Sequence, residues 1–217
     1  MIEIRELNAG ETDAAAAVLG RGMRDNPLHV QAFGADPERR ERALTHVFQG
    51  VLRQYVSKGS ALGAFSSGTI VGVCAMVEPG RCQPSGGERL RLLPETISGA
   101  GLGGTVRLLK WVAAWARHDP QEPHWHLGPV GVERHLQGQG IGGALLRAFC
   151  QRVDALQAMA YLETDKRENV AFYERFGFQL KAEEPVLETP NWFMVRLPAG
   201  GGAQKLHHLL RPLTPLS

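Results

Sequence analysis

Apolar and polar residues alternate with period two along IEIREL (Ile2–Leu7), the pattern of an edge strand with one face on a core. A helix is expected from about Thr12. In DPERRERALTHVFQGVLRQYV the period lengthens. Leu44, Val47, Phe48, Val51, Leu52 and Tyr55 recur at helical spacing, behind Asp36 and Pro37 as cap and first-turn residue. This amphipathic helix is expected to end near Ser57–Gly59. ALGAF and TIVGVCAMV, joined through Ser66, Ser67 and Gly68, read as a hairpin whose second strand is apolar on both faces and therefore buried.

From Pro79 to Pro123 the pattern breaks up around Gly80, Pro84, Gly86, Gly87 and Pro94. The 45 residues of 79–123 exceed a plain loop in a compact domain, so the stretch must carry structure of its own. GGTVRLLKWVAAWARH supplies a helix, with Leu109, Val112, Ala113 and Ala116 on one face and Leu108, Trp111 and Trp115 on another. Such a tryptophan-rich insertion is expected to wall a substrate pocket, although packing alone also accounts for each tryptophan. HWHLGPVGV (His124–Val132) is a strand, a glycine loop follows, and Ala144–Leu156 is a helix with Leu145, Phe149, Val153 and Leu156 facing inward. AMAYLET is a strand, ENVAFYERF a short helix, and GFQLKAE and NWFMVRL two further strands. That order implies a mixed α/β sheet in a single domain over residues 1–197, followed by a tail at 198–217.

Charge narrows the partners. The 217 residues carry 24 basic and 22 acidic side chains, a near balance that leaves no field for nucleic acid or an anionic membrane and favours a small-molecule partner. Cys74, Cys82 and Cys150 have neither metal-ligand spacing nor an even count, so no metal is expected and the thiols read as reduced. The N-terminus is charged from its third residue, and no stretch approaches ~18 uninterrupted apolar residues, so a cytoplasmic location is expected.

HLQGQGIGGALL places four glycines, Gly138, Gly140, Gly142 and Gly143, within six residues and then runs into a helix. Small residues opening a helix direct unpaired N–H groups at one point with the helix dipole behind them, which suits a diphosphate. A dinucleotide fold would place such a loop after its first strand, with an acidic residue about 20 positions on, and a P-loop would need Gly-Lys-Ser/Thr. Neither fits here. Pro129 lies in a strand that the apolar pattern puts at the centre of the sheet. It cannot donate to the ladder, so it marks a bulge or a parting of neighbours, a slot in which free backbone groups could bind an amide-containing ligand.

GVERHLQGQGIGGALL resembles the acyl-CoA motif of the GNAT acyltransferase superfamily, Gln/Arg-x-x-Gly-x-Gly/Ala, at Gln137, Gly140 and Gly142. LETDKRENVAFYERFGF resembles the segment that follows in that family, and the order of elements matches from about Ile2 to Leu197. The resemblance implies a mixed, mostly antiparallel twisted sheet of about seven strands, splayed in the middle, with helices on both faces. It implies acetyl-CoA as cosubstrate, its diphosphate held by the backbone of Gly138, Gln139, Gly140, Ile141, Gly142 and Gly143, with Gln137 at the loop's mouth. Val130 and Val132 would pair with the pantetheine arm, Asn169 would bond further along it, and Tyr173 matches the family's general acid. Residues 12–57 and 79–123 would build the acceptor pocket.

Acetyl transfer to an amine needs a neutral amine, a polarised carbonyl and a protonated leaving thiolate. Amines ionise near ~10 and thiols near ~8.5, so at neutral pH one proton must leave and another is useful. Tyr173 suits the second task. For the base, His126 lies eleven residues before Gln137, where several members of the superfamily carry one, and an imidazole suits the role. His124 shares its face. Glu133, a water chain, and Glu163, which could equally pair with a lysine or arginine, are the alternatives. The N–H of Val130, freed by the bulge, would face the carbonyl oxygen. The expected reaction is acetylation of a small-molecule amine by a monomer or homodimer. A protein amine and a non-catalytic acyl-CoA-binding regulatory role are the competing readings.

Overall fold

A computed structural model describes residues 1–56, 61–81 and 86–198. The expected helix end at Ser57–Gly59, and the expected tail beyond Pro198, lie outside the described residues. The strands are β1 (Ile2–Glu6), β2 (Ala61–Ser66), β3 (Thr69–Val77), β4 (His124–Val132), β5 (Met159–Thr164), β6 (Gln179–Val186) and β7 (Thr189–Arg196). They form one seven-stranded sheet in the order β1-β2-β3-β4-β5-β7-β6. Every pairing is antiparallel except β4 with β5. As its alternation requires, β1 lies at an edge, and β3, apolar throughout, is buried from Ile70 to Val77. Ser67 and Gly68 both take positive φ in the turn between β2 and β3, the geometry of a tight hairpin.

Helices cover both faces. α1 (Thr12–Met23), α2 (Pro27–Phe33), α3 (Pro37–Val56) and α4 (Gly86–Ala116) pack Leu19, Leu28, Leu44 and Trp111 into one core with Val73, Tyr161 and Phe193 of the sheet. On the other face α5 (Ile141–Ala155) and α6 (Arg167–Glu174) bring Leu145, Phe149, Val170 and Tyr173 against Cys74, Met76 and Leu162. α1 lies tight on β4. A Cβ on Gly22 would sit 2.4 Å from the Val132 carbonyl oxygen, so only glycine permits this approach. Among the described residues no helix is long and apolar enough to cross a membrane.

The structure differs from the sequence reading in three places. α2 interrupts the expected run between the first two helices, because Pro27 fits the first turn of a helix and ends the one before it. α4 begins at Gly86, well before the stretch that reads as helical, and absorbs Pro94 with a break at Gly101 (φ 68, ψ 173). Of the two faces read from spacing, Leu108, Trp111 and Trp115 pack against the core, with Ala114 beside them, while Leu109 and Val112 of the other are exposed. α5 starts three residues earlier than expected, and Leu156, read as inward, is 58% exposed because it follows the helix's last turn.

Candidate active site

The sheet opens at its centre. β4 and β5 pair only at His124 with Met159, Trp125 with Ala160 and His126 with Tyr161. Beyond His126 the strands part. On the other side β4 stays paired with β3, with a register shift between Cys74 and Met76 opposite the Gly128–Pro129 segment, where the bulge is expected. The Glu133 amide donates to Val71 O at 2.9 Å. Antiparallel alternation therefore turns the backbone of Gly131 toward β3 and that of Val130 and Val132 toward the gap.

The glycine loop leads into α5 at the same end of β4. Gly138 (φ 78) and Gly140 (φ 84) adopt the left-handed region that glycine favours. Gly142 and Gly143 are helical, and a Cβ there would meet nothing closer than 3.8 Å and 3.5 Å. Packing therefore does not require them to be glycine, and bare backbone there leaves space for a ligand. Ala144 N–H is the first to bond back, to Gly140 O at 3.0 Å. The amides of residues 138–143 find no acceptor among the described residues and, with the helix dipole, form an arrangement able to hold an anion. Gln137 supports this loop from behind, its side-chain amide donating to Gly22 O (3.0 Å) and Val132 O (3.1 Å). Gln139 donates to His135 O.

A cavity of about 340 Å³ runs from the gap into the space between the sheet and α1–α4, a size that suits a small-molecule site. His126, Val130, Asn169 and Tyr173 line it together, as do Glu163 and Asp165. Val132, Gln137 and the loop lie outside its lining, farther along β4. His126 Nε2 donates to Glu163 Oε2 at 2.7 Å. The Glu163 side chain is only 2% exposed, and its other oxygen, Oε1, is buried without a partner. This pairing replaces the lysine or arginine partner that the sequence suggests for Glu163.

Two of the candidate bases, His124 and Glu133, are engaged elsewhere. His124 Nδ1 donates to Glu122 O (2.8 Å) and its Nε2 lies 3.0 Å from Asp119, while Glu133 is forked by Arg21. Tyr173 is 8% exposed, with its ring against Phe172 and Phe178. Burial, with smaller contributions from Cys74 and Asp165, pushes its phenol well above the ordinary tyrosine range, so the hydroxyl stays protonated. Asn169 donates to Thr164 Oγ1 at 3.1 Å, which seats it at the end of β5.

Asp165, unremarked in the sequence, has a structural task. It accepts from the Leu28 amide (2.8 Å) and from Asn26 (3.4 Å), tying the start of α2 to the end of β5 over the cavity. Arg40, 4% exposed, clamps the same corner by donating to Gly34 O (2.7 Å), Asp25 (2.8 Å) and Arg24 O.

The family model of the Acetyltransferase (GNAT) family matches residues 28–178. Among solved structures the chain is similar to the histone acetyltransferase HPA2 and related acetyltransferase of Corynebacterium glutamicum, with 24% identity, a TM-score of 0.70, and coverage of 91% of this chain and 97% of that one. It is similar to the Drosophila melanogaster polyamine N-acetyltransferase, which forms N-acetylagmatine, with 19% identity, a TM-score of 0.65, and coverage of 91% and 100%. It is also similar to the PaiA N-acetyltransferase of Thermoplasma acidophilum in complex with coenzyme A, with 12% identity, a TM-score of 0.59, and coverage of 91% and 99%.

Proposed function

Because the chain belongs to the GNAT acetyltransferase family and is an acetyl-CoA-dependent acyltransferase, we propose that it acetylates a primary amine of a small molecule by direct attack within a ternary complex. The observation that carries this reading is the single cavity in which the His126–Glu163 pair, Val130, Asn169 and Tyr173 meet a walled space beyond the gap. When bound, acetyl-CoA supplies a thioester carbonyl as the electrophile.

The chain's own groups divide the remaining work. The amides of residues 138–143 bind the diphosphate, and Gln137 fixes their loop to α1 and β4. Val130, Val132 and Asn169 orient the pantetheine arm along the gap. An alkylammonium of pKa near ~10 must lose a proton before it attacks, and we assign that proton to Glu163 Oε1 in place of His126, the base expected from the sequence, because His126 Nε2 is paired with Oε2. The Val130 N–H stabilises charge on the carbonyl oxygen. As the C–S bond breaks Tyr173 donates its proton to the departing sulfur, and the second proton shed by the attacking nitrogen as the amide forms restores the phenol.

The acceptor wall comes from the described part of the 79–123 insertion, within a single domain. α4 contributes Leu108, Trp111 and Trp115 to the cavity, which favours a small acceptor over a protein amine. The N-acetylagmatine-forming neighbour supports a small amine at the level of the fold. The buried free Cys74 and Cys150 fit a cytoplasmic enzyme, acting as a monomer or homodimer. Initial velocities measured with both substrates varied should give intersecting double-reciprocal lines. Parallel lines with an acetylated enzyme would overturn direct attack. Turnover of peptide N-termini but of no small amine would instead support the protein-amine reading.

A further inference from the structure

Resting on that acetyltransferase reading, we propose that the acceptor is a primary amine carried on one uncharged, ring-bearing body, and not a diamine or polyamine. The cavity's lining holds a few carboxylates and many rings. Its carboxylates, Glu78, Glu163 and Asp165, all sit where β3 and β5 finish. Asp165 is spent on the Leu28 amide and Asn26, and Glu78 lies 3.9 Å from Arg81, which lines the same cavity. Of these three carboxylates Glu163 is the one with a buried oxygen that has no partner among the described residues. One ammonium is provided for.

The wall built from α2, α3 and α4 is rich in rings. Phe33, Phe48, Tyr55, Trp111 and Trp115 line it with His29. Trp111 lies edge-on to Trp115 with ring centroids 5.0 Å apart, and His29 lies 5.2 Å from Trp111 and 6.2 Å from Phe48. These spacings suit aromatic contact. His29 Nδ1 donates to the Met23 carbonyl at 2.7 Å, and burial pushes its pKa down, so the ring is neutral. The buried polar atom without a partner on this wall is Trp111 Nε1. It is a donor, which an ammonium cannot satisfy and which an acceptor atom or a π-face on the ligand can. A second ammonium reaching this wall would lose its water and find only Asp165, whose oxygens already accept from the Leu28 amide and Asn26, and ring faces that offset part of that loss.

The test compares CoA release from acetyl-CoA with phenethylamine against putrescine, spermidine and agmatine, using the full chain. The expected kcat/KM for phenethylamine exceeds that for each polycation by at least about 100-fold, and Trp111→Leu raises the phenethylamine KM by about tenfold or more with a smaller change in kcat. Should that variant fail to fold, quenching of the wild type's tryptophan fluorescence by phenethylamine, but not by putrescine, gives the same reading. Equal or better use of the polycations overturns the proposal and leaves the small-amine acetyltransferase reading standing. CoA release with peptides alone, or with no amine, overturns both.

Discussion

Replacing Tyr173 by phenylalanine separates catalysis from packing at one atom. The substitution keeps the ring, and with it the contacts to Phe172 and Phe178 at centroid distances of 5.3 and 5.9 Å. It removes a hydroxyl that no described residue bonds. A typical internal hydrogen bond contributes about 1 kcal/mol to stability, and none is lost here, so the unfolding midpoint should stay within about 0.5 kcal/mol of wild type. A general acid contributes about 10²- to 10⁴-fold, so kcat should fall by that factor, equivalent to about 2.7–5.4 kcal/mol of activation free energy. The burial that raises the phenol's pKa also fixes the sign of its pH effect. Tyr173 holds its proton up to and beyond its ordinary value of 10.0, so it adds no alkaline decline to the wild-type rate below that pH. The assay pairs CoA release at saturating substrates with calorimetric acetyl-CoA binding and urea melts. Wild-type turnover in the variant would refute the acid role. A loss of activity matched by lost stability or lost acetyl-CoA binding would make Tyr173 a packing residue.

Glu163→Gln keeps the shape of the buried side chain and removes the carboxylate opposite His126. Turnover should fall about 100-fold with acetyl-CoA affinity unchanged, and an unchanged kcat would return the base role to water. His29 is buried neutral, with its pKa held below its ordinary 6.5 by desolvation. Its contribution to stability is therefore present above about pH 6.5, where the unfolded chain's imidazole is also neutral, and is lost as pH falls and the unfolded chain takes up the proton. Urea midpoints from pH 7 to 5 should decline more steeply for wild type than for His29→Gln, and equal slopes would contradict this. Phe149, fully buried between α5 and the sheet, should cost about 3–5 kcal/mol as alanine, read from the urea midpoint. A cost below about 1 kcal/mol would mean that this face of the core is loosely packed.

Local pattern carried much of the architecture. Period two marked β1, helical spacing marked α3, the Ser-Gly turn marked the β2–β3 hairpin, and Pro129 marked the bulge in β4, because each depends on neighbours in the chain. α4 was obscured by Pro94 and its glycines: Gly101 does break it (φ 68, ψ 173), but helix resumes beyond the break and its later turns pack Trp111 and Ala114 into the core. Pairings across the fold were not legible. His126 meets Glu163 only because β4 and β5 run parallel before they part, and Asp165 reaches the Leu28 amide across 137 residues of sequence. Gln137 matches the acyl-CoA motif, yet its bonds to Gly22 O and Val132 O required the helix that glycine lets press onto β4.

Calorimetric titration with acetyl-CoA, for wild type and Gly142→Glu, tests the central claim most directly. Gly142 is helical, with nothing within 3.8 Å of an added Cβ, and a carboxylate in a helix's first turn favours the folded state. The variant should therefore fold as wild type does while placing negative charge where the diphosphate binds. One-site binding by wild type that Gly142→Glu abolishes is the predicted result. Equal binding by the two proteins, or none by wild type, would contradict the assignment of the glycine loop as the acetyl-CoA cradle.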